Sequence, residues 1–265
     1  MKAVKVRALF LSDIHLGTSG CQAEPLLDFL DRYHADQIYL VGDIIDAWRL
    51  QSRWHWPRSH DAVVAALLAR AQSGARVLYL PGNHDAFLRT WLGASLAGID
   101  IVEKAIHEAA DGQRYLVLHG DKFDLVATRA RWLAVIGDVA YRMALRGNAV
   151  LDRSRGKHRL FRWSPSAWAK LKVREVVNLI SHYEQLVVGE ALRHDVQGVI
   201  CGHIHHAVMH DEFGIRYINT GDWVESCTAV VEHWDGRFEI VRWMPAPTQN
   251  QSCRHNALVA ATLRD

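Results

Sequence analysis

The feature that most constrains this chain is a repeated unit, a short apolar run that stops in a turn built from Gly, Asp, Asn and His. It recurs as "RALFLSDIH", "QIYLVGD", "VLYLPGNHD", "RYLVLHGD" and "GVICGHIH". Apolar runs of this length, bounded by turn residues, read as strands buried on both faces. Helical patterns lie between them: Ala23 to Tyr33, and "SHDAVVAALLARAQSG" with its Ser cap, apolar period and terminal Gly. Strands alternating with helices predict an α/β layer architecture around a largely parallel inner sheet. In such sheets ligands bind beyond the carboxyl ends of the strands, where these polar clusters fall.

After Gly120 the pattern changes. Residues 123 to 147 and 165 to 192 have helical periodicity and are joined by "GNAVLDRSRGKHRLFRWSP", which predicts a helical lid insertion over about 123–192. Strand patterns return from Gln197 in "GVICGHIH", "IRYINTGDW", "CTAVVEHWDG" and "RFEIVRW", with Asp235-Gly236 as a hairpin turn. The expected organisation is one domain over 1–245 and a C-terminal tail over 246–265. With 49% hydrophobic residues the chain has ample material for a core. The early run "ALFL" is cut by Ser12-Asp13, and no window offers about 18 consecutive apolar residues, so a cytoplasmic protein is expected. Four scattered cysteines without a C-x-x-C pair point to reduced thiols.

The net charge of +2 conceals an asymmetry. Between Arg129 and Arg174 twelve Lys/Arg face two Asp, a local +10 against −8 for the remainder. A segment that basic points to an anionic partner at one place.

The strand-end turns collect Asp13, His15, Asp43, Asn83, His84, Asp85, His119, His203 and His205. These are hard oxygen and borderline nitrogen donors, with no thiolate, in the number that two neighbouring divalent metals require. In an extended segment residues i and i+2 face one side, which gives the D-x-H and H-x-H spacings a geometric reason. Asn83 offers an amide oxygen to a metal, His84 can approach a phosphoryl or leaving-group oxygen, and Asp85 can fix the His84 ring and favour its protonated form. Asp46 reads equally as a hydrogen-bonding neighbour of the site and as a cap for the next turn. His107, His206 and His210 read as packing or surface residues.

In this order, "SDIHLG", "GDIID", "GNHD", "HGD" and "GHIH" resemble the calcineurin-like metallophosphoesterase superfamily, across residues 12 to 205. Within it the chain is similar to the UDP-2,3-diacylglucosamine hydrolases of lipid A synthesis, through "GDIIDAW", the basic insertion after "HGD", and "GHIHHAVMH" followed by "NTGDWVES". The resemblance implies a calcineurin-like sandwich of two mixed sheets flanked by helices. It implies one metal held by Asp13, His15, Asp43 and His205 and another by Asp43, Asn83, His119 and His203. Mn²⁺ is the usual ion, with Fe or Zn as alternatives. It further implies cleavage of the substrate pyrophosphate to UMP and 2,3-diacylglucosamine 1-phosphate, with Arg153, Arg155, Lys157 and Arg159 as diphosphate or headgroup contacts.

The lipid A hydrolases carry Arg where this chain has His84, whereas His is usual across the superfamily. A second expectation is therefore a phosphoesterase acting on another nucleotide, lipid phosphate or nucleic acid. Nucleic acid is disfavoured because the chain has no helix-turn-helix, zinc-finger or RNP-like signature. The amphipathic basic insertion also predicts peripheral association with an anionic membrane. A non-catalytic scaffold of the same fold should lack ligands, and here all of them are present.

Overall fold

A computed structural model of the chain describes residues 3–123 and 165–243. Twelve strands form two sheets. The larger contains β1 (Val4–Leu11), β2 (Tyr33–Val41), β3 (Arg76–Leu80), β4 (Ser95–Leu96), β5 (Ile99–Ile101), β11 (Thr228–Glu232) and β12 (Phe238–Arg242), in the order β12-β11-β1-β2-β3-β5-β4. Its centre, β1-β2-β3-β5, is parallel, and its margins are antiparallel. The smaller has the order β6-β7-β8-β10-β9, from β6 (Ala105–Glu108), β7 (Arg114–Val117), β8 (Gly198–Cys201), β9 (Val208–His210) and β10 (Arg216–Asn219). Here β7-β8-β10 run parallel between antiparallel edges.

The alternation of side chains sorts the apolar runs into layers. Ile38 and Leu40 of β2, and Val77 and Tyr79 of β3, face α1 (Ala23–Arg32) and α3 (Arg58–Gln72). Their neighbours Tyr39, Val41, Leu78 and Leu80 face inward and meet Tyr115, Val117, Ile200 and Ile218 of the smaller sheet. On the far side Leu116, Val199, Cys201 and Tyr217 pack on Tyr183, Val187, Val188 and Ala191 of α4 (Pro165–Leu192). The result is helix, sheet, sheet, helix. Because each central strand is covered on both sides, its sequence is a continuous apolar run rather than an alternating one.

Local signals explain the helix bounds. Helix α1 buries Ala23, Leu26, Phe29 and Leu30, one apolar stripe, and passes at Tyr33 directly into β2. Helix α3 begins one residue before the expected Ser cap, with Pro57 at the cap position, and is followed by Gly74 at φ +102°. The segment between β2 and α3 contains a further helix that its sequence does not signal, α2 (Ala47–Ser52). The short strands β4, β5, β6 and β9 were also unforeseen, since two to four residues cannot display a period.

The expected helical insertion is represented by α4. The remainder, with Arg153, Arg155, Lys157 and Arg159, and the tail over 246–265 lie outside the described residues.

A buried polar knot ties the sheets together. Glu232 of β11 accepts from Arg7 Nη1 of β1 at 2.8 and 3.0 Å and from the Ala110 amide at 2.7 Å, and it lies 2.9 Å from His107 Nε2 of β6. His107, fully buried, thus has the packing role expected of it. His210 likewise stacks on Tyr217, 5.1 Å between ring centroids, and His206 is exposed.

Candidate metal centre

Every candidate ligand follows the carboxyl end of a parallel strand. Asp13 and His15 follow β1, Asp43 follows β2, Asn83 to Asp85 follow β3, His119 follows β7, and His203 and His205 follow β8. The two sheets therefore contribute to one edge of the sandwich. Backbone bonds continue the pairing past the strands and lock the loops together: Asp13 N to Gly42 O at 3.0 Å, His15 N to Asp43 O at 2.9 Å, and Gly202 N to His119 O at 3.2 Å.

The structure corrects the reason given for the D-x-H and H-x-H spacings. These segments are not extended. Asp13, His15, Asp43, His203 and His205 have φ of 50°, 54°, 52°, 74° and 54°, in the left-handed region that L residues rarely adopt. The side chains converge because the backbone coils. Such conformations persist where the surrounding structure enforces them, and they cluster at functional sites.

Three groups of donors result among the described residues: Asp13, His15 and His205; Asp43, His119 and His203; and, sharing His15 with the first, His15, Asp46 and His84. Within each, the donor atoms lie within 4.8 Å of one another. His205 Nε2 is 3.2 Å from Asp13 Oδ1 and 3.4 Å from His15 Nε2, and His119 Nε2 is 3.4 Å from Asp43 Oδ2. A Cβ added at Gly82 would fall on Asp43 Oδ1 and His119 Nε2, so only glycine permits this approach.

The donors fit divalent cations. Asn83 Oδ1 is shielded from solvent and accepts no hydrogen bond from the described residues. His119 Nδ1 donates to the Val41 carbonyl at 2.7 Å, which orients the ring and turns Nε2 toward Asp43. Burial disfavours charge on His119, but the Asp43 and Asp13 carboxylates override it and push its pKa up to about 10. A cation in that position replaces the proton that these carboxylates otherwise hold. Asp13, despite burial, is held well below the usual carboxylate range by His205, His119 and His15.

His84 stands at the rim. Its amide donates to Asp43 Oδ1 at 2.8 Å, and its Nδ1 lies 3.0 Å from Asp46 Oδ2. Trp48 of α2 packs against the ring, tilted by 35° with centroids 4.2 Å apart. Burial opposes protonation of His84, yet Asp46 and Asp43 raise its pKa. Asp46 therefore fills both roles that the sequence left open: Oδ1 caps α2 through the Arg49 amide at 2.8 Å while Oδ2 faces His84 and His15.

Asp85 does not hold the His84 ring, contrary to expectation. Its Oδ2 accepts from Tyr79 Oη at 2.6 Å and the Ile44 amide at 2.8 Å, and its Oδ1 accepts from the Gly82 amide at 2.6 Å. It ties the loop after β3 to the loop after β2. The sequence reading also passed over Asp222 in "NTGDW": its Oδ1 accepts from the amides of Val224 and Ser226, while Trp223 N donates to Asp13 O at 3.0 Å. This segment braces the Asp13 turn from beneath.

The sequence model of the calcineurin-like phosphoesterase family matches residues 6–207, which spans every one of these donors. The chain belongs to the calcineurin-like phosphoesterase family. It is a metal-dependent phosphohydrolase. Among relatives of this calcineurin-like chain, a UDP-2,3-diacylglucosamine hydrolase of Serratia proteamaculans is 28% identical over 228 residues, covering 78% of this chain and 85% of that one. A protein of the same name from Aeromonas hydrophila is 27% identical over 253 residues, covering 84% and 93%. One from Xanthomonas campestris is 36% identical over 116 residues, covering 43% and 46%. A hypothetical protein from Pyrococcus horikoshii shares the fold at a TM-score of 0.50 and 8% identity, covering 99% of this chain and 95% of that one. No helix among the described residues is long and apolar enough to cross a membrane.

Proposed function

We propose that this phosphohydrolase cleaves the pyrophosphate of UDP-2,3-diacylglucosamine, releasing UMP and 2,3-diacylglucosamine 1-phosphate. The observation that carries the chemistry is the convergence of two donor groups beside a histidine backed by Asp46. The substrate is carried by the relatives of that name, which align over most of their length.

In this reading Asp13, His15, Asp43 and His205 hold one divalent ion, and Asp43, Asn83, His119 and His203 hold the other, with Mn²⁺ as the first choice. Bound ions supply an acidified water and Lewis acidity at phosphorus. Asp43, which lies with His119 and His203, is the residue that this reading shares between the two ions. His84 in its protonated form donates a hydrogen bond from Nε2 to a phosphoryl oxygen or to the departing oxygen. Asp46 holds that ring through Nδ1, and Asp85 positions the loop without touching the reacting atoms. The same proposal places the basic residues 129–174 against an anionic membrane surface, with Arg153, Arg155, Lys157 and Arg159 near the substrate headgroup.

His84 favours a second reading, because the resemblance to the lipid A hydrolases leads to the expectation of Arg there: a phosphoesterase for a different nucleotide or lipid phosphate. Purified protein with Mn²⁺ and UDP-2,3-diacylglucosamine, assayed for UMP beside a phosphomonoester and a phosphodiester, separates the two. UMP release faster than both controls supports the first reading, and brisk cleavage of a control without UMP supports the second. His84→Ala should lower kcat by about 10²–10⁴-fold with two metals still bound. Loss of a metal in that variant would make His84 a ligand.

A further inference from the structure

A cavity of about 680 Å³ opens beside the candidate metal centre, lined by His15, Asp46, His84 and His205 and also by Arg49 and Arg53. Arg49 lies on α2, and Arg53 is its C-cap residue, with Arg53 N donating to Arg49 O at 2.8 Å. Arg53 is extended, at φ −154° and ψ 115°, and both arginines border the same cavity, so their charges face one space. The arginine ion pairs among the described residues involve Arg7, Arg89, Arg193, Arg216 and Arg237, and Arg49 and Arg53 take part in none.

Asp46 is the cavity's one carboxylate among the described residues, and it is already engaged by the Arg49 amide, His15 and His84. The charge left available is positive. Arginine pairs of this kind match phosphate oxygens through parallel N–H donors.

The geometry points to a second-phosphate subsite: Arg49 and Arg53 bind a phosphoryl group joined to the scissile one, so that the site selects diphosphates over isolated phosphate esters. This rests on the phosphohydrolase reading of the metal centre. A diphosphate carries its second charge one bridging oxygen from the phosphorus under attack. The cationic wall begins in the first turn after Asp46, which itself contacts His84, so it is placed to meet that charge. A monoester leaves it without a partner.

The test compares methylenediphosphonate with methylphosphonate, titrated calorimetrically into Mn²⁺-loaded wild type and into an Arg49→Ala/Arg53→Ala double variant. The wild type should bind the diphosphonate at least about tenfold more tightly, as a charge-assisted contact allows. That preference should fall about tenfold in the double variant and return in part in Arg49→Lys/Arg53→Lys. Chelation of the metal by the second phosphonate is common to the proteins and cancels between them. Both arginines are exposed, and the single variants Arg49→Gln and Arg53→Gln repeat the measurement with smaller change. A wild-type preference near one, or a preference that the variants keep, overturns the subsite. Hydrolysis of bis(p-nitrophenyl) phosphate by Mn²⁺-loaded wild type is read separately, and its absence counts against the phosphohydrolase reading instead.

Discussion

At the scale of single residues, Asp46 has the widest reach for its size. One oxygen caps α2 and the other faces two imidazoles, so the two functions can be separated by substitution. Asparagine caps a helix as well as aspartate but carries no charge. Asp46→Asn should therefore lower kcat through His84 while costing less stability than the loss of the whole side chain, since the cap is kept and only the charge pairing is lost. Asp46→Ala should lower kcat and also cost about 1 kcal/mol of stability through the lost cap. Steady-state kinetics and thermal melts on the two variants check the split. The sequence made the candidate ligands legible because each combined Gly with Asp, Asn or His directly after an apolar run. It did not make their geometry legible. The left-handed backbone at Asp13, His15, Asp43, His203 and His205 depends on the loops locking one another, and so a period-two argument brought these residues together for the wrong reason. The partner of His84 was misjudged in a similar way, because Asp85 is adjacent in sequence but its carboxylate is taken up by Tyr79 and the backbone amides of Gly82 and Ile44.

Among the elements, the long central strands and α1 and α3 could be read from apolar runs and caps, whereas α2 and the short strands could not, being fixed by tertiary contacts. The cross-sheet contact at Glu232 is of that second kind. Burial pushes its carboxyl up, but His107, the Ala110 amide and Arg7 outweigh this and hold its pKa below the ordinary 4.5. A carboxyl lowered by folding stabilises the native state above its unfolded pKa and loses that contribution as pH falls through the folded value. Urea unfolding of the wild type should therefore show stability declining below about pH 4.5, and Glu232→Gln should flatten that decline. At neutral pH the same variant should be less stable by about 3 kcal/mol, since it weakens the acceptor for several buried donors.

Over the whole molecule, the sandwich brings five strand ends from two sheets to one edge, and the ligands there are far apart in sequence, from Asp13 to His205. A cation bound by both sheets is bound by the folded state alone, so it adds to global stability. With free Mn²⁺ at a hundred times its Kd, unfolding should require about 2.7 kcal/mol more than in chelator, provided the unfolded chain binds none. Thermal melts across a metal titration measure this, and a melting temperature independent of metal would separate the donors from any cation.

The coiled backbone at the ligands also leaves a mark that needs no metal and no substrate to detect. At most positions alanine is more stabilising than glycine, because it restricts the unfolded chain. Where the native residue sits at positive φ, that order inverts, since alanine pays for its Cβ and glycine does not. His205, only partly buried and at φ 54°, offers the cleanest case: His205→Gly should be more stable than His205→Ala by about 1 kcal/mol. In a mutational scan of the metal-free protein, Asp13, His15, Asp43, His203 and His205 would then stand out as five of the eight described non-glycine positions at which glycine is preferred, beside Ala97, Asp195 and Cys227.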